Sequence, residues 1–127
     1  MERTGCTPTD GFRAIEAVDE ATRRIRGMVG YDMWTENSCQ AHMAVDAPIV
    51  WRALLQPAFE YPFEQCGKGI ILAVIPDSNH RSLAMTRHLG FRQLHRVIDG
   101  WAVGEDLLVF EMRREWCRYG VRHQEAA

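Results

Sequence analysis

The feature that most constrains the fold is a continuous apolar run, Ile70-Ile71-Leu72-Ala73-Val74-Ile75, that passes straight into a turn and then a helix. The run is too short for a buried helix, rich in β-branched residues and flanked by Gly67-Lys68-Gly69 and Pro76-Asp77-Ser78-Asn79, so it reads as a central strand buried within a sheet. Asparagine is a good N-cap because its side chain can accept from an orphan backbone N–H, so Asn79 opens the helix that follows, about His80 to His88. Gly90 can take the left-handed conformation that ends it, and Leu89 and Phe91 then fold back onto the sheet.

The remaining pattern is consistent with that core. Phe12 to Val18, Arg24 to Trp34 and Cys39 to Val45 read as three strands, with Gly27 and Gly30 marking a bulge or a close backbone approach in the second. Asp46 is a plausible cap, and Pro48 sits at a first-turn position. Ile49, Trp51, Leu54, Leu55, Ala58 and Phe59 follow at helical spacing, and Pro57 and Pro62 are expected to bend or interrupt the helix. Phe91 to Val97 and Leu107 to Met112 read as two strands joined by a loop holding Gly100 and Gly104. Arg113 to Tyr119 is a short helix or an extension of the last strand. The order strand, strand, strand, helix, strand, helix, strand, strand defines a mixed α/β domain with two helical crossovers.

The 127 residues suit one domain spanning 1–127, with 1–11 as a lead-in and 120–127 as a tail. A net charge of −2 gives no footprint for nucleic acid or a membrane surface. Cys6, Cys39, Cys66 and Cys117 are far apart and form no C-x-x-C pair, which argues against a metal site and leaves Cys39 as a small core residue. No apolar stretch reaches the roughly 18 residues of a membrane span, and the N-terminus lacks a signal-peptide pattern, so a cytoplasmic location is expected.

The segment Asn79-His-Arg-Ser-Leu-Ala-Met-Thr-Arg-His-Leu-Gly-Phe91 resembles the signature of the GNAT N-acetyltransferase superfamily, in which an asparagine opens a helix that closes on a Leu-Gly-Phe corner. The element order around it agrees over about residues 12–112. The phrases Asp99-Gly100-Trp101 and Glu105-Asp106-Leu107 look like those of small phage and bacterial members. The resemblance implies a mixed central sheet whose third strand, Cys39 to Val45, splays from Ile70 to Ile75. Here the helices that precede the first hairpin in the family are expected to be reduced or absent, since only about eleven residues come before Phe12.

The same resemblance implies acetyl-CoA as cosubstrate, no metal, and direct transfer of an acetyl group to an amine within a ternary complex. The pantetheine arm would lie between the splayed strands, against backbone at Met43, Ala44 and Val45. The pyrophosphate would sit at the N-terminus of the first crossover helix. The family's glycine-rich loop there is degenerate: Ala47-Pro48-Ile49-Val50-Trp51-Arg52-Ala53 has no glycine. Arg52 is the candidate replacement through charge-assisted contacts, with Trp51 beside the cofactor, and Asn79, Arg81 and Ser82 complete the cofactor set; Arg87 is a weaker candidate.

For catalysis, His42 on the third strand is the candidate base, since an imidazole titrates near neutrality. Thr86 stands where many family members place a tyrosine acid, with Ser82 and Tyr31 behind it. Asp46, Glu36 and Asp77 are alternative activating groups that read equally as cap or turn residues. Trp34 and Trp51 are candidates for the site wall, and Trp101 for an exposed interface. A homodimer is expected from the reduced N-terminal region and the Trp101 loop. The alternatives are a CoA- or nucleotide-binding protein of the same fold without catalysis, and a small α/β interaction module. The amine acceptor is not specified by the sequence.

Overall fold

The computed structural model describes residues 13–45 and 48–119, and at 44–45 and 48–52 the backbone alone. Phe12 and Asp46 therefore lie outside the described residues. Six strands form one sheet: β1 (Arg13–Val18), β2 (Ile25–Asp32), β3 (Ser38–Val45), β4 (Ile70–Pro76), β5 (Arg92–Ala102) and β6 (Glu105–Arg113). Helix α1 (Pro48–Glu60) connects β3 to β4, and α2 (His80–Leu89) connects β4 to β5. The order across the sheet is β1-β2-β3-β4-β6-β5. Only β3 and β4 run parallel; every other neighbouring pair is antiparallel.

As its apolar run requires, β4 lies between β3 and β6. Its Ile71, Ala73 and Ile75 face a single core that contains Leu54, Ala58 and Phe59 of α1 and Leu83 and Leu89 of α2. Both helices thus cover the same face of the sheet. Val29, Tyr31, Cys39 and Ala41 point to that face from β2 and β3, and Leu108, Phe110 and Met112 from β6. The mixed apolar content of Cys39 to Val45 suggests burial on both faces, but Gln40 and His42 are only half-buried, so burial on β3 is one-sided.

The two prolines act differently. Pro57 is carried within α1, and the helix widens into a π turn at Tyr61–Gln65 closed by Cys66 N–H on the Tyr61 carbonyl, 3.0 Å. Helix α2 matches its signals: Asn79 Oδ1 accepts from Ser82 N–H at 3.1 Å, and Gly90 ends it at φ +105°.

The bulge expected in β2 lies beside Gly27, where Ala17 pairs with Gly27 and Val18 with Ile25, leaving Arg26 as the extra residue. The β5–β6 connection differs from the expected loop. The strands run on to Ala102 and Glu105, so the turn is Val103-Gly104 alone, with Gly104 at φ +86°. Gly100 lies inside β5, where a Cβ would stand 2.8 Å from Leu107 Cβ. Beyond β6 the chain makes one 3-10 turn, Arg114–Trp116, which Arg114 ties to Glu64 at 2.7 Å.

Candidate active site

The parallel pair β3–β4 is joined for three residues only: Ser38 to Ile70, Cys39 to Ile71 and Gln40 to Leu72. Past that point β3 continues to Val45 and β4 to Pro76 without pairing to each other. On their outer sides both strands stay laddered to the end, Val45 against Gly27 of β2 and Pro76 against Leu107 of β6. Backbone groups on the inner sides of Ala41–Val45 and Ala73–Pro76 therefore border an opening between two held strands.

The other end is cross-tied. The Asn37 carbonyl accepts from Gly69 N–H at 3.0 Å and Ile70 N–H at 3.1 Å, and Asn37 Oδ1 accepts from Gly69 N–H at 3.0 Å. Lys68 Nζ donates to the carbonyls of Thr35 and Glu36 at 2.8 and 3.1 Å. The strands are stitched where they enter the sheet and part where they leave it.

Because β3 and β4 are parallel and each feeds a helix, α1 and α2 both begin at the edge where the strands part. A helix N-terminus presents free N–H groups and the positive end of its dipole, so this edge favours an anion. Trp51 and Arg52 fall within the first two turns of α1, and Arg81 and Ser82 within the first turn of α2. Asn79 supports that edge as the cap of α2. Arg87, by contrast, is engaged in the fold, donating to Gln93 Oε1 at 3.2 Å and lying over the Phe110 ring.

The β5–β6 hairpin braces the same edge. Arg96 Nη1 contacts Asp106 Oδ2 at 2.8 Å and Asp77 Oδ2 at 3.3 Å, Asp77 N–H donates to the Asp106 carbonyl at 2.9 Å, and Ser78 hydrogen-bonds Glu105. Asp77 is thus an ion-pair partner, and Glu36 lends its carbonyl to Lys68.

His42 lies just past Gln40, the last β3 residue paired to β4. Register places it opposite Gly30 and places Asp32 opposite Gln40, so His42 and Asp32 share the sheet face turned away from the helices. His42 Nε2 stands 2.8 Å from Asp32 Oδ1, with the two side chains 24% and 27% exposed. This pair is reachable from solvent, and the backbone of His42 borders the opening. Asp32 was not apparent in the sequence, because a diagonal cross-strand partner becomes visible only once the β2–β3 register is known.

Other candidates lie elsewhere. Thr86 is 2% exposed on the core side of α2 with Leu83 and Leu89, and its carbonyl accepts from Phe91 N–H at 3.2 Å. Tyr31 is fully buried, burial pushes its hydroxyl far above the usual tyrosine range, and its Oη is bonded to the Ala58 carbonyl. Burial likewise pushes the Cys39 thiol up to about 12, which removes it as a nucleophile near neutrality. Trp34 packs on Tyr31 and Tyr61 before β3 begins, at the stitched end. Among the described residues, no group of three or more His, Cys, Asp or Glu side chains is placed to hold a metal ion. No helix among them is long and apolar enough to cross a membrane.

No protein-family model matches the sequence, and no curated protein matches it. Solved structures do match. Spermidine/spermine N-acetyltransferase SpeG from Vibrio cholerae is similar at TM-score 0.69 and 16% identity, over 82% of this chain and 66% of that one. Ribosomal-protein-S5-alanine acetyltransferase from Vibrio fischeri is similar at 0.70 and 18% identity, over 81% and 62%. Campylobacter jejuni N-acetyltransferase PseH, solved in complex with acetyl coenzyme A, is similar at 0.67 and 16% identity, over 84% and 70%. This chain thus spans about two thirds of the length of these structures. The likeness is one of fold: the six-stranded mixed sheet with its two crossover helices is the GNAT fold.

Proposed function

We propose that this chain is an N-acetyltransferase that transfers an acetyl group from acetyl-CoA to a small amine or peptide amine within a ternary complex. The observation that carries the reading is the parting of β3 from β4 beyond Gln40 and Leu72, with the N-termini of α1 and α2 at the open edge. A slot between two strands held from outside accepts an extended arm and offers it backbone hydrogen-bonding groups. The adjoining helix N-termini suit its phosphates. The fold shared with PseH, whose structure holds acetyl coenzyme A, supports the same assignment.

In this reading the backbone of Met43, Ala44 and Val45 lines the arm and polarises the thioester carbonyl. Trp51 and Arg52 on α1, with Arg81 and Ser82 on α2, hold the phosphates, and Asn79 fixes the start of α2. His42 takes the proton that the acceptor nitrogen loses. Thr86 faces the core, so the departing thiolate takes its proton from solvent rather than from that hydroxyl.

The acceptor class is framed by the named activities of the structural neighbours, spermidine or spermine in one and a ribosomal-protein alanine in another. A homodimer is part of the proposal, through the side chains of Leu94, Ile98, Trp101 and Val103, all exposed. Extending the sheet is disfavoured, because β5 is bulged after Gln93 and again after Val97. Light scattering at micromolar concentration tests it, and a monomer removes it.

The test of function has two parts. Acetyl-CoA held a hundredfold above its Kd stabilises a binder by about 2.7 kcal/mol, a rise of several degrees in melting temperature. Thiol release is then followed with spermidine, an alanine-ended peptide and other primary amines. A shift with turnover supports the enzyme, and a shift without turnover supports a non-catalytic CoA-binding protein. No shift sinks both readings.

A further inference from the structure

We infer that Asp32 is the positioning residue of the reaction: it holds His42 as the Nε2–H tautomer and so presents Nδ1 as the nitrogen that accepts a proton. The inference rests on the N-acetyltransferase reading and adds to it a residue and an atom.

The 2.8 Å contact joins His42 Nε2 to Asp32 Oδ1. A carboxylate only accepts, so the ring nitrogen facing it carries the hydrogen, and in a neutral imidazole the lone pair then lies on the other nitrogen. The arrangement is set by backbone. His42 and Asp32 sit on adjacent antiparallel strands, two residues apart in register and on one face, so neither depends on a loop for its place. Asp32 is the last residue of β2, and Met33 after it turns the chain with φ +52°, a conformation that residues bearing a side chain rarely adopt. On β3, His42 stands where pairing to β4 has just ended, so its backbone borders the opening.

The step balances without a further reagent. The acceptor nitrogen forms a bond to the thioester carbonyl carbon and gives up a proton to His42 Nδ1. The carbon–sulfur bond breaks, its electron pair leaves with sulfur, and the thiolate takes a proton from water. The resulting imidazolium keeps its Nε2–H on Asp32 Oδ1. Asp32 itself touches no reacting atom.

The experiment uses the full chain with 15N-labelled histidine, and with Asp32→Asn, Asp32→Glu and His42→Ala. Long-range proton–nitrogen correlation is recorded roughly two pH units above the usual imidazole value of about 6.5. Turnover is measured with acetyl-CoA and whichever of spermidine, an alanine-ended peptide or a simple primary amine reacts. The expected spectrum shows the Nε2–H form of His42 in the native chain and a mixed tautomer in Asp32→Asn. The expected kinetics are a fall in kcat of roughly 10- to 100-fold in Asp32→Asn, the scale set by outer partners of functional imidazoles elsewhere. KM for acetyl-CoA stays unchanged, Asp32→Glu recovers part of the rate, and His42→Ala loses at least as much as Asp32→Asn.

Three results overturn the inference while leaving the acetyltransferase reading intact. They are an Nδ1–H tautomer in the native chain, an active chain whose kcat is indifferent to Asp32→Asn, and a fall in kcat with no change in tautomer. Absence of turnover with every amine overturns the acetyltransferase reading and the role of Asp32 with it.

Discussion

Tyr31 Oη donates to the carbonyl of Ala58 at 2.5 Å, joining the end of β2 to the last turn of α1. The bond exists because of a proline. In an α-helix the Ala58 carbonyl would accept from the N–H of the residue four positions on, which is Pro62 and has none. Tyr31, fully buried, supplies the missing donor and fills the space between Trp34 and Tyr61, with ring centroids 6.1 and 5.5 Å away. Replacing Tyr31 by Phe keeps the packing and orphans the carbonyl, a loss of about 1–3 kcal/mol. Urea titration should show a lower midpoint at unchanged slope, with affinity for acetyl-CoA unaffected.

Asn79 affords a separate test of the α2 edge. Its side chain satisfies Ser82 N–H, and its carbonyl accepts from Leu83 N–H at 3.0 Å. Asn79→Ala should cost about 0.5–2 kcal/mol in thermal unfolding, and Asn79→Asp, which can cap equally well, should cost much less. If the edge binds the phosphates of acetyl-CoA, Asn79→Ala also weakens acetyl-CoA binding in calorimetry, since fraying scatters the N–H groups an anion would use.

The reach of the sequence can be judged from these same residues. The β4–α2–Gly90 unit was legible because each of its signals is local: a β-branched apolar run, an asparagine cap and a left-handed glycine. The hairpin boundaries were not. The turn at Val103-Gly104 is short, but Gly100 also looked like turn chemistry, and its actual reason is close packing on Leu107. The burial of Thr86 was hidden because helical phase decides which side of α2 faces the sheet, and a small polar residue suits either. Arg87 is only the weaker phosphate candidate, and its engagement by Gln93 and Phe110 depends on tertiary contacts that the sequence does not show. Asp32 was silent because its partner lies ten positions away across a strand pair.

The β5–β6 hairpin should be sensitive to acid. Asp106 accepts from Asp99 N–H at 3.0 Å and pairs with Arg96, and these contacts, the backbone one foremost, hold its carboxyl below the usual value of 3.8. A depressed folded value means the contacts contribute fully above the unfolded value and are lost as pH falls through the folded one. The Asp106 side chain is 19% exposed and its partners Arg96 and Asp99 lie within the same hairpin, so the effect is local rather than global. The Asp99 amide proton resonance should titrate with a midpoint below 3.8, and Asp106→Asn should abolish that titration.

The stitched end of the β3–β4 pair makes a prediction about coupling rather than magnitude. A Cβ at Gly69 would stand 2.8 Å from Asn37 Oδ1 and 2.9 Å from Asn37 Nδ2, so Gly69→Ala must displace the Asn37 side chain. Gly69 N–H would then lose its bond to Oδ1 but keep the one to the Asn37 carbonyl at 3.0 Å. The expected cost is therefore that of one exposed hydrogen bond, about 0.5–1.5 kcal/mol. Asn37→Ala removes the same bond and the same obstacle together. Once the side chain is gone, the added methyl at position 69 meets nothing it had to move, so the double variant should cost less than the two single variants summed. A double-mutant cycle by urea unfolding reads that difference directly. Strict additivity would mean that Asn37 and Gly69 do not meet as described, and the physical reason for strands that join at one end and part at the other would have to be sought elsewhere.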